Sequence, residues 1–138
     1  RDGEMPINAD SRLISQALTN ILKNGAESIY RNQERVESKI VVTLRQEDEV
    51  ISIDVADTGI GLPDINREAL LEPYITTREQ GTGLGLAIVK KVMSDHGGES
   101  TLGDAPWLRD GRSGAQITLS FPSIKRETLG HSKVEAVI

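Results

Sequence analysis

Gly81-Thr82-Gly83-Leu84-Gly85-Leu86-Ala87-Ile88-Val89 is the stretch on which the reading of this chain turns. Three glycines at alternate positions run straight into an apolar, helix-like segment that continues to His96. Glycine takes positive φ at no steric cost and lets a ligand approach the backbone closely. A loop of this kind opening a helix aims unpaired N–H groups and the positive end of the helix dipole at one spot. Phosphate can be held in that way without many basic side chains. Taken alone, the same residues also describe a turn before an ordinary core helix. What stands upstream decides between the two.

Ile40-Val41-Val42-Thr43-Leu44 and Val50-Ile51-Ser52-Ile53-Asp54-Val55 are β-rich, with Glu47-Asp48-Glu49 as the hairpin turn between them. By the period of two, Ile51, Ile53, Val55 and Asp57 share one face. Asp57 thus continues the apolar, helix-facing side of the sheet, where an unpaired carboxylate is costly. Either the strand ends before it or a donor meets it. Asp57-Thr58-Gly59-Ile60-Gly61-Leu62-Pro63 supplies a second glycine pair where the chain must turn sharply.

Further upstream, Asp10 or Ser11 can cap a helix whose face is marked by Leu13, Ile14, Ala17, Leu18, Ile21, Leu22, Gly25 and Ile29. At 100° per residue, Asn20, Asn24, Glu27 and Arg31 fall within about 60° of one another along the edge of that face. A solvated stripe is the ordinary meaning of such a pattern. Asparagine argues against it, because Asn is a poor mid-helix residue and Lys or Glu would serve solubility better.

Composition narrows the classes. The chain has 138 residues, 37% hydrophobic and 27% charged, a length and balance suited to one globular domain with a real core. A net charge of −5 speaks against a broad nucleic-acid surface. An anion would have to be held by backbone N–H groups, a metal or a few placed cations. The absence of cysteine excludes disulfides, thiolate zinc and a thiol nucleophile. No apolar run reaches a membrane span and no signal peptide is present. The start at Arg1 is that of a piece cut from a longer chain.

Met5-Pro6-Ile7 can form a short edge strand, and residues 32–38 are a polar connection. From Leu62 to Gln80 the pattern is irregular, with a short helix expected over Ile65 to Leu71 and ended by Pro73. A connection this long, residues 64–80, reads as a lid or binding loop. The helix that starts at Thr82 or Gly83 stops at Gly97-Gly98. Glu99 to Gly103 is a strand, and a loop carrying Trp107 follows. Ala115, Ile117, Leu119 and Phe121 alternate in a last strand closed by Pro122. Residues 1–122 make the domain, and 123–138, polar and unpatterned, make a frayed tail.

Four boxes stand in a fixed order: Asn20-Ile-Leu-Lys-Asn24, Asp57-Thr-Gly59-Ile-Gly61, Leu71-Glu-Pro73-Tyr74 and Gly81-Thr-Gly83-Leu-Gly85-Leu86. Together they resemble the ATP-binding catalytic domain of sensor histidine kinases, within the gyrase/Hsp90/histidine kinase/MutL ATPase superfamily. The match runs from about Asp10 to Pro122. Lys23-Asn24-Gly25-Ala26-Glu27, Thr76-Thr77-Arg78 and Leu102-Gly103-Asp104-Ala105-Pro106 look most like nitrogen-regulation sensors of the NtrY type. The resemblance implies an α/β two-layer sandwich (the Bergerat ATP-binding fold), with a mixed, mostly antiparallel sheet and about three helices on one face.

It also implies roles. Asp57 matches the carboxylate that accepts from the adenine amino group, and Gly59 and Gly61 match the turn against which the base lies. Asn24 matches the magnesium ligand, and Asn20 matches the other asparagine of that box, near the metal and the reacting phosphate. Gly81, Thr82, Gly83, Leu84, Gly85 and Leu86 match the loop that holds phosphates. Tyr74 stands where the family often has Phe, as a lid anchor, beside Thr77 and Arg78. The implied ligands are ATP or ADP with Mg2+. The implied partners are a dimerisation and histidine phosphotransfer domain of the same full-length protein and a response regulator. Nucleic acid and membrane contact by this domain are not implied; the setting is the cytoplasmic part of a membrane-bound bacterial sensor.

The sequence departs from the pattern in three ways. Glu27 stands where many members carry Lys, which leaves Arg78 and, after it, Lys23 or Arg31 as cations for phosphate. Gly25 replaces the usual Ala, at a helix cost of about 1 kcal/mol. Neither histidine stands in a phosphoacceptor context: His96 belongs to a helix stop and His131 to the tail. Two other functions compete with a kinase domain. One is an ATP-hydrolysing conformational clamp of the gyrase/MutL type; the other is a nucleotide-binding module without transfer.

Overall fold

The computed structural model describes residues 9–33, 37–63, 67–71, 85–107 and 112–123, together with the backbone of 130–137. Helix α1 spans Ser11–Arg31. It begins at Asp10, whose side chain accepts from the Arg12 N–H at 2.9 Å while its carbonyl accepts from the Ile14 N–H at 3.0 Å. These are the bonds of an N-cap, which serve donors that no helical carbonyl can reach. Ala17, Ile21, Gly25 and Ile29 form the buried ridge of α1 at a spacing of four.

Strands β1 (Lys39–Glu47) and β2 (Val50–Asp57) make a hairpin around Asp48-Glu49, with Asp48 at φ 55°. Left-handed backbone at such a tight turn is one that Asp tolerates. A 3-10 turn over Arg67–Leu71 follows, then α2 (Gly85–Asp95), β3 (Glu99–Asp104), β4 (Ala115–Pro122) and β5 (Gly130–Val137). Helix α2 ends at Gly97, φ 69°. There the Gly98 N–H reaches the Met93 carbonyl at 2.8 Å and the Gly97 N–H reaches Ser94 at 3.1 Å. This paired closure satisfies last-turn carbonyls and needs glycine at the left-handed position.

The strand order is β3-β4-β2-β1-β5, and every described pairing is antiparallel. The family resemblance implied a mixed, mostly antiparallel sheet, with at least one parallel pair. Strand β4 instead inserts between β2 and β3, so each neighbour is opposed. The helical layer consists of α1, α2 and the 3-10 turn among the described residues. Helix α1 packs on β1 and β2, α2 packs on β3 and β4, and the helices pack on each other. Between the layers lie Ile21, Ile29, Val55, Val89, Met93, Leu119 and Phe121. Full burial of each such side chain contributes about 1.5–3 kcal/mol. The result is the two-layer α/β sandwich expected.

The tail expectation is overturned. Residues 130–137 form β5 on the outer edge of β1, in register from Lys39 opposite Val137 to Gln46 opposite Gly130. The sheet therefore extends past residue 122. Main-chain pairing to an open edge needs no apolar alternation, so a polar, unpatterned stretch can still form a strand there. The short helix expected over 65–71 is the 3-10 turn, with Leu70 and Leu71 buried. Arg67 fixes it, donating to the Pro63 carbonyl at 2.6 Å and to Asp104 at 2.8 Å. Met5-Pro6-Ile7, most of the 64–80 stretch and the start of the glycine-loop helix at Thr82 or Gly83 lie outside the described residues.

Candidate functional site

Strand β2 carries two buried aspartates, and their surroundings differ. Asp54, on the sheet face away from the helices, receives Arg45 Nε at 2.6 Å, Arg45 Nη2 at 3.2 Å and the Thr118 hydroxyl at 2.8 Å. Its charge is matched by a two-pronged guanidinium bond. Asp57, at the end of the helix-facing side, meets no cation among the described residues. Its Oδ1 accepts from the Gly59 N–H at 2.8 Å and from the Ala115 N–H at 3.4 Å. Oδ2 has no partner among the described residues. Burial pushes the Asp57 carboxyl up, against the two backbone N–H groups that pull it down. The strand thus runs to Asp57, and two backbone donors meet it.

Helix α1 lies directly over this carboxylate. A Cβ on Gly25 would stand 3.3 Å from Ile40 Cδ1 and 3.5 Å from both Cβ and Oδ2 of Asp57. The turn after Asp57 is held tightly. A Cβ on Gly59 would fall 2.1 Å from Ser28 Oγ and 2.8 Å from Asp57 Oδ1, so only glycine fits there. Gly61 has φ 83°, again a glycine conformation. The Ile60 N–H donates to Ser28 Oγ at 3.0 Å, and Asn32 Nδ2 donates to the carbonyls of Thr58 and Gly59 at 3.1 and 3.2 Å.

Asn24 lies on α1 one turn before Ser28. Its amide faces the start of α2: a Cβ on Gly85 would stand 3.6 Å from Asn24 Nδ2 and 3.7 Å from its Oδ1. The first N–H groups of a helix have no partner within it. Asn20, one turn earlier again, has its Nδ2 buried without a hydrogen-bond partner among the described residues. An unmet buried donor costs about 1–3 kcal/mol, so this one is poised for an acceptor. Leu86 packs against the core from the first turn of α2.

The structure therefore brings Asn24, Asp57, Gly59 and Gly85 together along one side of α1, with Asn20 one turn before Asn24, while Gly61 lies against Gly114. Tyr74, Thr77, Arg78, Gly81, Thr82, Gly83 and Leu84 lie outside the described residues. Lys23 and Arg31 are both exposed. His96 is structural: its Nδ1 lies 2.7 Å from the Val92 carbonyl, and its Nε2 accepts the Asp10 N–H at 3.0 Å, tying the ends of α1 and α2 together. Sequence reading missed Ser28 and Asn32. The signal was present, since Asn20, Asn24, Ser28 and Asn32 recur every four residues beside the buried ridge.

Residues 9–125 match the family of histidine kinase-, DNA gyrase B- and HSP90-like ATPases. The chain belongs to that family. Among curated relatives of this ATPase domain is the nitrogen regulation protein NtrY of Azorhizobium caulinodans, 53% identical over 112 residues. That match takes in 76% of this chain but only 14% of the relative. The mycobacterial sensor histidine kinase MprB superposes with a TM-score of 0.72 at 28% identity, covering 85% of this chain and 74% of that one. Full-length ShkA in complex with AMPPNP superposes with a TM-score of 0.70 at 26% identity, over 88% of this chain and 24% of that one. Among the described residues, no helix of this ATPase domain is long and apolar enough to cross a membrane.

Proposed function

We propose that this chain binds Mg-ATP and presents its γ-phosphate to a histidine on a separate dimerisation domain, for relay to a response regulator aspartate. The observation that carries the reading is Oδ2 of Asp57, without a partner among the described residues on a residue 8% exposed, beside the Gly59 turn and under the same helix α1 that carries Asn24. A carboxylate oxygen at the rim of the core, with no cation on it among the described residues, suits a neutral N–H donor, which an adenine amino group supplies. Gly59, packed on Ser28, and Gly61 make the turn against which the flat base would lie. At the other end, the first N–H groups of α2, together with Gly81, Gly83 and Gly85, suit phosphate oxygens.

The donor set fits magnesium. An amide oxygen is a hard ligand, and this ion keeps several waters and takes further oxygens from phosphates. Asn24 would hold the ion through Oδ1, with Asn20 Oδ1 as a second oxygen, while the buried Asn20 Nδ2 suits a phosphate oxygen. The ion, when bound, neutralises phosphate charge. Transfer then requires positioning and charge stabilisation, with little covalent chemistry from this domain. Arg78 is the further cation for the γ-phosphate, and Tyr74 and Thr77 belong to the segment that covers the nucleotide. The sensor relatives support a kinase and a cytoplasmic setting for this domain.

A clamp of the gyrase/MutL type needs a general base for water, usually Glu at the place of Asn20, and an amide cannot take that proton. The test is labelled ATP incubated with this chain and a separately made histidine-bearing domain. Label on histidine supports the kinase. Steady phosphate release would mark the clamp, and binding without either would mark a nucleotide-binding module.

A further inference from the structure

Three side chains outside the motif boxes close around the carbonyl side of the Gly59 turn. Asn32, the C-cap of α1 and 8% exposed, donates through Nδ2 to the carbonyls of Thr58 and Gly59 and to Ser113 Oγ at 3.1 Å. The Ser113 hydroxyl itself donates to the Gly59 carbonyl at 2.8 Å. Trp107 Nε1 donates to the Ser113 carbonyl at 3.0 Å, which ties the chain just after β3 to the chain just before β4. That loop is anchored again where the Ala105 N–H meets the Gly114 carbonyl at 3.1 Å. Gly114 presses on the strand end so closely that a Cβ there would fall 2.0 Å from the Asp57 carbonyl oxygen.

The geometry joins these contacts to Asp57 by short paths. Asp57 Oδ1 is held by the N–H of Gly59, whose carbonyl the Asn32–Ser113 pair grips, and by the N–H of Ala115, two residues after Ser113. Both bonds that orient the carboxylate thus come from backbone that this clasp places. On the nucleotide reading given above, we propose that Asn32 and Ser113 are positioning residues for base recognition, setting the direction of the unpartnered Asp57 oxygen through the Gly59 turn and the Gly114 approach. They touch neither base nor phosphate. Their effect falls on the base end alone, because Asn24 and Asn20 lie about two and three turns earlier on α1 and Gly85 opens α2, away from the Gly59 turn.

The experiment is calorimetric titration of the 138-residue chain, with magnesium, by ATP and by inorganic tripolyphosphate, which has no base. The proteins are wild type, Asn32→Ala, Ser113→Ala and Ser113→Thr. Asn32→Ala is expected to weaken ATP binding about tenfold, the scale of one or two lost buried hydrogen bonds, and to leave tripolyphosphate affinity unchanged. Ser113→Ala should act in the same direction, and Ser113→Thr, which keeps the hydroxyl at an exposed position, should restore wild-type binding. A folded Asn32→Ala with unchanged ATP affinity overturns the proposal, as does an equal loss for both probes. If Asn32→Ala does not fold, Ser113→Ala against Ser113→Thr decides the matter by the same criteria. Wild type that binds tripolyphosphate and gains nothing from the base would instead sink the adenine assignment on which the clasp depends.

Discussion

Asp57 keeps a carboxylate in the core at a cost to the fold, and that cost has a sign that can be measured. Burial raises its pKa, so the folded chain retains this proton at pH values where the unfolded chain has lost it. The stability this supplies is fully present below the ordinary aspartate pKa and is lost as pH rises through the raised value. At neutral pH the ionised carboxylate is therefore a net burden. Asp57→Asn keeps an oxygen for the Gly59 and Ala115 N–H groups and removes the charge. Thermal unfolding from pH 3 to 8 should find the variant at least as stable as wild type at neutral pH, with a flatter loss above the aspartate range. A variant less stable at neutral pH by 2 kcal/mol or more, roughly the cost of an unmet buried group, would mean that Asp57 holds the fold together. Asn24→Ala separates two other roles. As a magnesium ligand it should weaken ATP binding roughly tenfold with magnesium and barely without it. As a solvated helix residue it should only stabilise α1 by some tenths of a kcal/mol. Calorimetry with and without magnesium distinguishes the two.

At the scale of elements, α1 carries two ridges side by side, and they were legible to different degrees. The apolar repeat of Ala17, Ile21, Gly25 and Ile29 identifies itself by period, and Asp10 marks its start. The hairpin, β4 and the Gly97-Gly98 stop were equally plain, because each is a local pattern with a local cause. Asn20 and Asn24 stood out as poor helix formers, whereas Ser28 and Asn32 did not. A serine near a helix end and an asparagine after it are ordinary there, and what they hold lies 26 to 81 residues away. Strand β5 was illegible for a related reason: its pairing is main-chain bonding to an edge already present. That pairing predicts the outcome of truncation. A chain ending at Ser123 leaves the outward-facing N–H and C=O groups of β1 between Lys39 and Gln46 uncovered, an open template for another chain. The denaturation midpoint should fall, with stability reduced by about 1–3 kcal/mol, and sedimentation should show association at concentrations where the full chain does not associate. A truncated chain equally stable and no more associated would remove β5 from the working sheet.

For the molecule as a whole, the sheet and the helical layer do different work. The antiparallel sheet is a rigid plate whose far face is closed by pairs such as Arg45–Asp54. The helical face leaves Oδ2 of Asp57 at the end of β2 and the buried Nδ2 of Asn20 on α1 without partners among the described residues. On the proposed function, that acceptor takes the base and that donor lies at the phosphate end. The order of the sequence boxes made this readable, since Asp57 and Asn24 sit on elements whose faces their neighbours determine. How the two ends lie relative to each other was not readable, because it depends on the insertion of β4 and the packing of α1 across β2. The central claim is that Asp57 reads adenine, and calorimetric titration of the wild-type chain with Mg-ATP and Mg-GTP tests it most directly, with Asp57→Asn alongside. The account predicts ATP binding at least tenfold tighter than GTP, the scale of a charge-assisted hydrogen bond, with that preference lost in the variant. Equal affinity for the two nucleotides in wild type, or an unchanged preference in a folded Asp57→Asn chain, would contradict it.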